Sequence, residues 1–436
     1  MLNLFSPAKI QVPHWKNTAN KKTEKISPET SVHLIINKNI CKSNKITVNI
    51  GETVYVGQVI LESDSFVAAS IHSSVSGVVE TIYENKVVIK SDGKQTLDPS
   101  IKPPIINNDE DFINSLKQSG LIGIGGAGFP TYIKFETENK SKIETLIINA
   151  AESEPFITSD TREIIENTSD VLDGTIAIAA HFDIKNIIIG IQKNNEEAIS
   201  TLEKMISENS KYKNIKIKIL PSKYPQNNEK ILIKSCTNIV LPLRKLPNEI
   251  GVSVLNVSFV GFLGNYLKTG IPLVSRRVTI DGGAIKTPKN IFAPIGTLVK
   301  DLVQFCDGYQ STPAKIIAGG PMMGKTLEND EVPITKMSNA ITILNHEQAS
   351  KPEEIECIRC ARCVTACPTN ILPVSIDRNV RLKNIDELKT LNLNACISCG
   401  LCTFICPSNR ELLKNIRIGK TMQKNPKKTP IEGGKV

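Results

Sequence analysis

Two closely spaced groups of cysteines constrain the fold of this chain more than any other feature of its sequence. Eight of the 11 cysteines lie in two runs of identical spacing, Cys357-x2-Cys360-x2-Cys363-x3-Cys367-Pro368 and Cys396-x2-Cys399-x2-Cys402-x3-Cys406-Pro407. The first residues, MLNLFSPAKIQVPHW, show no basic region followed by an apolar core, so we expect no secretory signal. In a reducing compartment, clustered cysteines bind metals or carry out redox chemistry rather than form disulfides. We therefore expect this region to fold around metal centres.

The spacing C-x2-C-x2-C-x3-C-P is the ligand pattern of two-cluster bacterial ferredoxins. In this pattern the first three thiolates of a run bind one cluster, and the fourth lies too far along the chain and binds the other. The pattern predicts two 4Fe-4S clusters with crossed ligation, in which cluster one takes Cys357, Cys360, Cys363 and Cys406, and cluster two takes Cys396, Cys399, Cys402 and Cys367. A zinc site typically uses two C-x2-C pairs, which does not explain a doubled run with proline after each fourth cysteine. Clusters that share ligands in this way are expected to conduct electrons rather than catalyse a reaction.

Composition sets broad limits on the rest of the chain. Its 436 residues predict about three domains, and 40% hydrophobic residues provide enough apolar surface for packed cores. The net charge of +9 is small for this length and is weak evidence for nucleic-acid binding. No stretch has the roughly 18–20 consecutive apolar residues of a membrane-spanning helix, so we expect any membrane association to be peripheral. Cys41, Cys236 and Cys306 are expected to pack as small hydrophobic side chains.

Changes in sequence pattern divide the chain into segments. These are an irregular amino-terminal segment (1–30), a region of short β-strands (31–95), an α/β region (109–245), a β-rich region (250–310), the cysteine region (350–412) and a basic, mobile tail (419–436). The short strands resemble the flattened β-sandwich of lipoyl and biotinyl carrier domains. Those carriers present a modified lysine at a hairpin tip, whereas residues 62–66 contain no lysine. Covalent attachment of a cofactor is therefore not expected.

Alternating strands and helices in the α/β region predict a mostly parallel sheet. Residues 145–149 have the pattern of a buried strand, and residues 186–191 and 215–220 are a second and a third predicted strand. Residues 160–182 and 196–208 have helical patterns. Such sheets bind ligands beyond the carboxyl ends of their strands. The loops that precede and follow these strands are therefore the expected places for binding residues.

A glycine-rich loop precedes the first of these strands. Residues 123–131 contain a literal G-x-G-x-x-G, but a Rossmann site needs a strand before this sequence and an uninterrupted helix after it. Here residues 111–118 have a helical pattern, and Pro130 follows the last glycine almost at once. Glycine amides can approach a phosphate closely, and the Lys134 ammonium is near enough in sequence to meet the same anion. The alternative is an ordinary glycine-rich turn.

An acidic loop follows the strand of residues 145–149. Glu152 and Glu154 lie just beyond its carboxyl end, which is a ligand-binding position in a parallel sheet. Their carboxylates are suited to bonding ribose hydroxyls or orienting a nicotinamide. Considered alone, a Glu-x-Glu sequence is more often a solvated loop.

The two loops together carry a family resemblance. Gly125-Gly126-Ala127-Gly128-Phe129-Pro130-Thr131…Lys134 and Asn149-Ala150-Ala151-Glu152-Ser153-Glu154-Pro155 resemble the flavin- and NADH-binding motifs of the flavoprotein subunit of respiratory complex I. The whole order of features resembles the RnfC/RsxC family of the Rnf/Rsx ion-translocating electron-transport complexes over about residues 30–415. That order is the carrier-like β domain, the two loops, Leu220-Pro221-Ser222-Lys223-Tyr224-Pro225, Gly319-Gly320-Pro321-Met322 and the two cysteine runs.

The resemblance implies a multidomain α/β protein with an amino-terminal carrier-like β-sandwich, a central α/β flavin- and NADH-binding domain, a β-grasp module and a helical two-cluster ferredoxin domain. It implies an NADH-dependent oxidoreductase subunit of an ion-translocating complex, which takes electrons from NADH on non-covalent FMN and passes them through two 4Fe-4S clusters. Its implied partners are integral membrane and ferredoxin-like subunits, with no nucleic acid. Its implied location is peripheral, on the cytoplasmic side of the cell inner membrane.

The resemblance also implies roles for individual residues. The FMN phosphate would be held by Gly123, Gly125, Gly126, Gly128 and Lys134. Asn149 and Glu152 would lie near the flavin and the nicotinamide, with Glu152 as the catalytic residue, and Glu154 would contribute to cofactor binding.

Two other functions remain open from the residues. One is a soluble cobalamin or quinone reductase built from the same modules without a membrane partner. The other is an iron-sulfur scaffold or nucleic-acid-binding protein whose basic tail contacts phosphates. The tail gives this last hypothesis little support, because its lysines have no aromatic residues between them and no recognised binding fold.

Overall fold

The computed structural model describes residues 10–27, 30–36, 44–63, 69–124, 143–243 and 245–424. The chain forms two compact units. The larger unit consists of the described residues of His14–Leu220 and Lys245–Ala349. The smaller unit consists of the described residues of Met1–Pro13, Pro221–Arg244 and Ser350–Val436.

The strands and helices of the described residues are numbered in chain order. The strands are β1 (Thr23–Lys25), β2 (Ser31–Ile35), β3 (Asn44–Ile46), β4 (Thr53–Val54), β5 (Val59–Ser63), β6 (Ile71–His72), β7 (Gly77–Ile82), β8 (Lys86–Ser91), β9 (Thr145–Ala150), β10 (Asn186–Gln192), β11 (Ile215–Leu220), β12 (Val252–Asn256), β13 (Ser275–Asp281), β14 (Lys289–Pro294), β15 (Lys315–Ala318), β16 (Lys325–Leu327) and β17 (Ala340–Leu344). The helices are α1 (Asp109–Gln118), α2 (Ser159–Glu166), α3 (Thr168–His181), α4 (Glu196–Glu208), α5 (Glu229–Thr237), α6 (Val257–Thr269), α7 (Val299–Phe305), α8 (His346–Ala349), α9 (Arg362–Ala366), α10 (Pro373–Arg381), α11 (Ile385–Thr390), α12 (Leu401–Phe404) and α13 (Leu412–Lys424).

Two small sheets form a β domain at the start of the larger unit. One sheet has the order β2-β8-β7-β4 and the other β3-β5-β6, and all their pairings are antiparallel. Val32 and Leu34 alternate with less buried neighbours along β2, as expected for a sheet with one face on a core. The prediction of short β-strands in this region is confirmed. Most of residues 62–66, where the sequence lacks a carrier lysine, lies outside the described residues.

Four parallel strands form the α/β sheet, in the order β11-β10-β9-β12. The side chains of β9, β10 and β12 form nearly continuous buried runs, as in Leu146, Ile147 and Ile148 of β9, which is typical of parallel strands covered on both faces. The edge strand β11 is buried mainly at its two ends. Strands β10 and β11 lie on one side of β9, whereas β12 lies on the other. The topological switch point, where such sheets bind ligands, is therefore at the carboxyl ends of β9 and β12.

The strand β12 and the helix α6 correct the predicted domain boundary. We expected a β-rich domain over residues 250–310, but β12 pairs with β9 in the α/β sheet and continues into α6. Valines and glycines in residues 257–269 have low helical propensity. Tertiary packing overrides that preference, because Phe259, Val260 and Leu263 bury one face of α6.

The helices α3 and α6 cross with their backbones in contact. A Cβ atom at Gly174 of α3 would lie 2.0 Å from the carbonyl oxygen of Val260, and one at Gly264 of α6 would lie 2.0 Å from that of Asp170. Both distances are shorter than any ordinary contact, so only glycine fits at these positions. The predicted single helix over residues 160–182 is two helices, α2 and α3, because Asn167 leaves helical geometry and its amide bonds the Glu163 carboxylate.

A mixed six-stranded sheet completes the larger unit, in the order β1-β14-β13-β17-β15-β16. Helix α7 packs on this sheet, and Cys306 just after it is fully buried in the same core, as expected for a packing cysteine. The edge strand β1 comes from the segment that we expected to be irregular, residues 1–30. That prediction was wrong for the described residues from 14 onward, because they are fixed by polar contacts distant in sequence rather than by an apolar pattern.

The smaller unit is helical in its described part. Its core contains Ile376, Leu388, Leu393 and Ile416 from the cysteine region. Tyr224, from the middle of the chain, is fully buried in this unit and its hydroxyl donates to the Cys399 carbonyl at 2.8 Å. Helix α13 covers the start of the predicted tail and buries Met422, so that prediction was wrong up to Lys424, and residues 425–436 lie outside the described residues. Among the described residues, the helices are all too short or too polar to cross a bilayer.

Candidate functional site

The predicted binding residue Asn149 lies at the topological switch point. It is the register partner of Asn256 at the ends of β9 and β12. The Asn256 side chain accepts a hydrogen bond from Ser258 N at 2.8 Å and donates to the Asp160 carboxylate at 2.8 Å. The sequence analysis missed Asn256. A polar residue that ends an apolar strand was the available signal, but it was hidden by the wrong interpretation of β12.

The carboxylate of Glu152 is buried at this edge of the sheet and is occupied by protein donors. It accepts hydrogen bonds from Asp160 N at 2.8 Å and from the Thr161 hydroxyl at 2.8 Å. Longer contacts come from Thr161 N and the Ser159 hydroxyl, both at 3.4 Å. A carboxylate has about four acceptor positions. Glu152 therefore ties the acidic loop to the first turn of α2, where a negative charge is favoured.

The second acidic residue, Glu154, lies against the glycine-rich turn of the mixed sheet. Its carboxylate accepts a hydrogen bond from Met322 N at 3.1 Å. A Cβ atom at Gly320 would lie 2.3 Å from the Glu154 Oε2 atom, so the absence of a side chain allows this approach. The structure thus brings together two motifs that are far apart in sequence, the acidic loop and Gly319-Gly320-Pro321-Met322.

The amino-terminal segment supplies a cation that the sequence analysis did not identify. Lys16 donates hydrogen bonds to the carbonyls of Glu152 at 2.8 Å and Ile157 at 2.6 Å. Its Nζ atom is also 3.7 Å from the Glu152 carboxylate, and 9% of the Lys16 side chain is exposed. Burial lowers the pKa of Lys16, and the neighbouring carboxylates of Glu152 and Asp160 oppose this change. A sequence pattern offers no signal for a contact of this kind.

Asp160, near the start of α2, connects this helix to the carboxyl end of β12. Its carboxylate accepts from the Ser258 hydroxyl at 2.6 Å as well as from Asn256. Burial raises the pKa of Asp160 to about 6, and the negative charge of Glu152 adds to this effect.

We expect the variant Asp160→Asn to lose a pH dependence that the unaltered protein shows. A folded-state pKa of about 6 exceeds the ordinary value of 3.8, so the folded state binds this proton more tightly than the unfolded state. The stability contributed by this proton is present at low pH and is lost as the pH rises through about 6. The thermal unfolding temperature should therefore fall between pH 5 and 7.5 more steeply in the unaltered protein than in Asp160→Asn.

The exposed Glu347 provides the control, because Glu347→Gln removes one negative charge without changing a buried site. Its unfolding temperature should keep the original slope with pH. Equal slopes for Asp160→Asn and the unaltered protein would contradict the assignment.

The segment just before the glycine-rich loop is linked to the β domain through Lys336. Lys336 donates hydrogen bonds to the carbonyls of Ser70 at 2.7 Å and Gly120 at 2.6 Å. Gly123 follows within the described residues, whereas the other predicted phosphate-binding residues, Gly125, Gly126, Gly128 and Lys134, lie outside them.

Four cysteines of the smaller unit help to line a cavity of about 130 Å³. Four of its lining residues are Cys357, Cys360, Cys363 and Cys406. Three of these belong to the first cysteine run and the fourth belongs to the second. Burial raises the pKa of the Cys363 thiol, and the nearby Cys406 and Cys357 add to this effect.

The other four cysteines form a second group. Burial raises the pKa of both Cys399 and Cys402 to about 12, with further contributions from Cys367 and Cys396. Metal coordination deprotonates such thiols outright, so a donor set of buried thiols fits an iron-sulfur cluster. Among the described residues, no three His, Cys, Asp or Glu side chains converge closely enough to suit a single metal ion.

A buried carboxylate organises the cysteine region. Asp377 of α10 is 1% exposed and accepts hydrogen bonds from Arg381 at 3.1 Å and from Arg410 Nε at 2.8 Å. Asn415 of α13 also donates to it. Arg410 comes three residues after Pro407, so this network connects the end of the second cysteine run to two helices. The sequence analysis did not identify it.

Comparisons with known families match the four parts of the chain. The matching family models are the RnfC barrel sandwich hybrid domain over residues 7–109, the Nuo51 FMN-binding domain over residues 116–261, the SLBB domain over residues 277–326 and the 4Fe-4S dicluster domain over residues 356–410. The chain is therefore a multidomain α/β protein with an FMN-binding domain and a 4Fe-4S dicluster domain. The FMN-binding match includes β12 and the first turn of α6, in agreement with the sheet order.

Curated relatives match most of the chain, and each is the component designated C of its complex. The relative from the proton-translocating ferredoxin:NAD(+) oxidoreductase complex of Clostridium ljungdahlii is 36% identical over 371 residues, which cover 82% of this chain and 80% of the relative. The relative from the Na(+)-translocating complex of Acetobacterium woodii is 36% identical over 382 residues, or 85% and 86% of the two chains. The relative from the ion-translocating oxidoreductase complex of Vibrio cholerae is 34% identical over 377 residues, which cover 83% of this chain and 48% of the relative.

A solved structure of an NAD+-reducing NiFe hydrogenase in the air-oxidized state is similar in fold. It superposes with a TM-score of 0.51 at 16% identity, covering 71% of this chain and 63% of the hydrogenase chain. The family resemblance predicted from the two loops and the cysteine runs is confirmed by the curated relatives. This chain belongs to the RnfC family of the ion-translocating oxidoreductase complexes.

Proposed function

We propose that this chain is the NADH-dependent electron-input subunit of an ion-translocating oxidoreductase complex. The observation that carries the proposal is the presence, in one chain of this family, of an FMN-binding domain and a 4Fe-4S dicluster domain. NADH gives up two electrons together as a hydride, whereas an iron-sulfur cluster accepts one. Bound FMN would supply the conversion between two-electron and one-electron transfer.

The flavin and NADH site is assigned to the carboxyl edge of the α/β sheet. We propose that the amides of Gly123, Gly125, Gly126 and Gly128 and the ammonium of Lys134 bind the FMN phosphate. Asn149, Glu152 and Glu154 are proposed as the residues of the acidic loop that serve the flavin and the nicotinamide. Support comes from the position of Asn149 at the switch point and from the attachment of Gly120, just before the glycine loop, by Lys336.

The contacts of Glu152 favour an orienting role in this site. Its carboxylate already accepts four hydrogen bonds from α2, which leaves little capacity for accepting a proton from substrate. We therefore propose that Glu152 shapes the loop beside the nicotinamide and contributes negative charge there. Hydride transfer to a flavin requires no general base, so this role is chemically sufficient.

The two clusters are assigned to crossed sets of cysteines. We propose that Cys357, Cys360, Cys363 and Cys406 bind cluster one, and the shared lining of one cavity supports this set. We propose that Cys367, Cys396, Cys399 and Cys402 bind cluster two. The contributions of Cys367 and Cys396 to the raised pKa values of Cys399 and Cys402 support their proximity.

The location and partners are proposed from the family. Relatives are named as subunits of complexes that translocate protons or sodium ions. We propose that this chain is attached peripherally to the cytoplasmic side of the inner membrane through integral membrane and ferredoxin-like subunits, and that it binds no nucleic acid.

Anaerobic reconstitution with FMN followed by titration with NADH tests the proposal. We expect the full chain with its clusters to retain FMN without a covalent bond, and the flavin absorption to bleach on addition of NADH. Gly126→Val should prevent flavin retention while both clusters assemble, because a side chain would block the approach of the backbone to the phosphate. A cluster-containing protein that retains FMN but is not bleached by NADH would refute the dehydrogenase function.

A further inference from the structure

The amino-terminal segment of residues 14–18 is attached to the acidic loop and the residues just after it at several points. Phe156 N donates a hydrogen bond to the His14 carbonyl at 3.0 Å, and the hydroxyls of Thr18 and Thr158 are 2.6 Å apart. The Trp15 ring lies 5.3 Å from the ring of Phe156, and both residues have positive φ angles, of 41° and 68°. Positive φ is a strained conformation for aromatic residues and often occurs at functional sites. The segment is therefore held in a defined conformation at the carboxyl edge of the α/β sheet.

Lys16 is the residue of this segment that reaches the ends of the acidic loop. Its ammonium donates to the carbonyl of Glu152 at the start of the loop and to that of Ile157 at the end. The same Nζ atom lies 3.7 Å from the carboxylate of Glu152. One cation thus fixes both the backbone of the loop and the carboxylate proposed to lie near the nicotinamide.

The charges around Lys16 are predominantly negative. Glu152, Asp160 and Glu154 all interact electrostatically with its ammonium. Burial of an ammonium group costs free energy unless paired charges and hydrogen bonds offset it. Removing only one partner of a buried ion pair is destabilising, because the other charge is left buried without its partner. Glu152 keeps its hydrogen bonds from α2 in a neutral variant at Lys16, and the folded fraction of that variant is measured by circular dichroism beside its rate. A variant with arginine at this position keeps the charge and tests the role without this loss.

We propose that Lys16 is a positioning residue of the NADH–flavin site, which acts through Glu152 and the backbone of the acidic loop. This inference rests on the proposed function of that site. The ammonium clamps the loop so that the carboxylate and the carbonyl of Glu152 keep one orientation at the carboxyl end of β9. Lys16 itself makes no bond to the reacting atoms. Displacement by about 1 Å of a group that positions a substrate can lower a rate about a hundredfold, so a small movement of this loop has a measurable effect.

Stopped-flow reduction of the FMN-containing full chain tests this role. The rate of flavin reduction is measured at increasing NADH concentrations for the unaltered protein, Lys16→Met, Lys16→Arg and Lys22→Met. The series separates the limiting rate of reduction from the dissociation constant for NADH. Lys22 is exposed and lies close in sequence, so Lys22→Met is a matched control for the loss of one lysine. Trp15 is the only tryptophan of the chain. It is half exposed and its ring lies against Phe156, so the anisotropy of its emission reports whether the segment remains attached.

We expect the limiting rate to fall at least tenfold in Lys16→Met, with a change of less than threefold in the dissociation constant, unchanged FMN content and unchanged anisotropy of Trp15 emission. Lys16→Arg should recover a substantial part of the rate, and Lys22→Met should match the unaltered protein. A limiting rate unchanged in Lys16→Met would overturn the proposal. So would an equal loss in Lys16→Met and Lys16→Arg accompanied by a fall in the anisotropy of Trp15 emission, because Lys16 would then serve only to attach the segment. Failure of the unaltered protein to be reduced by NADH would instead refute the proposed function itself.

Discussion

Replacing Cys406 with alanine is expected to remove the cluster held by Cys357, Cys360 and Cys363 and to leave the other cluster in place. Cys406 belongs by sequence to the second cysteine run, yet it lines the same cavity as the three cysteines of the first run. Losing one of four thiolates opens the cluster to solvent and dissociation. Iron content after anaerobic reconstitution should fall from about eight to about four atoms per chain. Electron paramagnetic resonance of the reduced protein should then show a single cluster without the coupling between two neighbouring paramagnets.

The matched variant Cys367→Ala should have the opposite effect, removing the cluster held by Cys396, Cys399 and Cys402. Cys306→Ala is the control, because Cys306 is a buried cysteine in the core of the mixed sheet and both clusters should remain. Loss of the cluster held by Cys396, Cys399 and Cys402 in Cys406→Ala would contradict crossed ligation.

Gly174→Val is expected to prevent stable folding of the α/β domain. Even the first atom of a side chain would lie 2.0 Å from the Val260 carbonyl oxygen, and that atom belongs to the backbone of α6 rather than to a flexible side chain. Overpacking a core typically costs about 1–3 kcal/mol and occasionally more. Because both helix backbones would have to separate, we expect the upper end of this range or beyond. Circular dichroism during thermal unfolding, together with the yield of soluble protein, measures the loss.

Ser169→Val provides the control on the same helix. Ser169 is exposed on α3, so the added methyl groups meet solvent, and the unfolding temperature should change little. FMN retention should fall in Gly174→Val, because α3 follows the loop of the proposed site. An unfolding temperature for Gly174→Val equal to that of Ser169→Val would show that the helices can separate at no cost.

Local patterns predicted much of the α/β sheet and of the cluster region. Residues 145–149, 186–191 and 215–220 were identified as strands within one residue of β9, β10 and β11. The first two are apolar runs bounded by polar residues, and the third alternates isoleucine with lysine. The grouping of Cys406 with the first cysteine run was predicted because ligand spacing is set by the geometry of a cluster. Each strand is marked by a few consecutive residues, whereas the cysteine grouping draws on two separate runs, and the ligation itself stays a prediction.

Long-range contacts explain what the sequence analysis could not find. Whether residues 252–256 belong to the α/β sheet is decided by pairing with β9, more than 100 residues earlier in the chain. Lys16 and Asp377 are single polar residues whose partners lie far away in sequence or on different helices, and no periodicity marks them. Such residues become recognisable only when the fold has brought their partners together. Asn149 was predicted as a binding residue because it ends a predicted strand of the α/β sheet. Its register partner Asn256 was not, because β12 was assigned to another domain.

The smaller unit is assembled from separate parts of the chain. Its carboxyl-terminal segment is therefore not expected to fold stably alone. Tyr224 and Leu243 come from the middle of the sequence, yet both pack within the unit that contains all the cluster cysteines. A recombinant fragment starting at Ser350 would keep every proposed iron ligand but would lack the tyrosine that bonds the Cys399 carbonyl. Its apolar surface would be exposed where these residues now lie, which favours aggregation. The carboxyl-terminal region alone is therefore not an independent domain. A chimaera that exchanges the smaller unit would have to replace residues 221–243 together with that region.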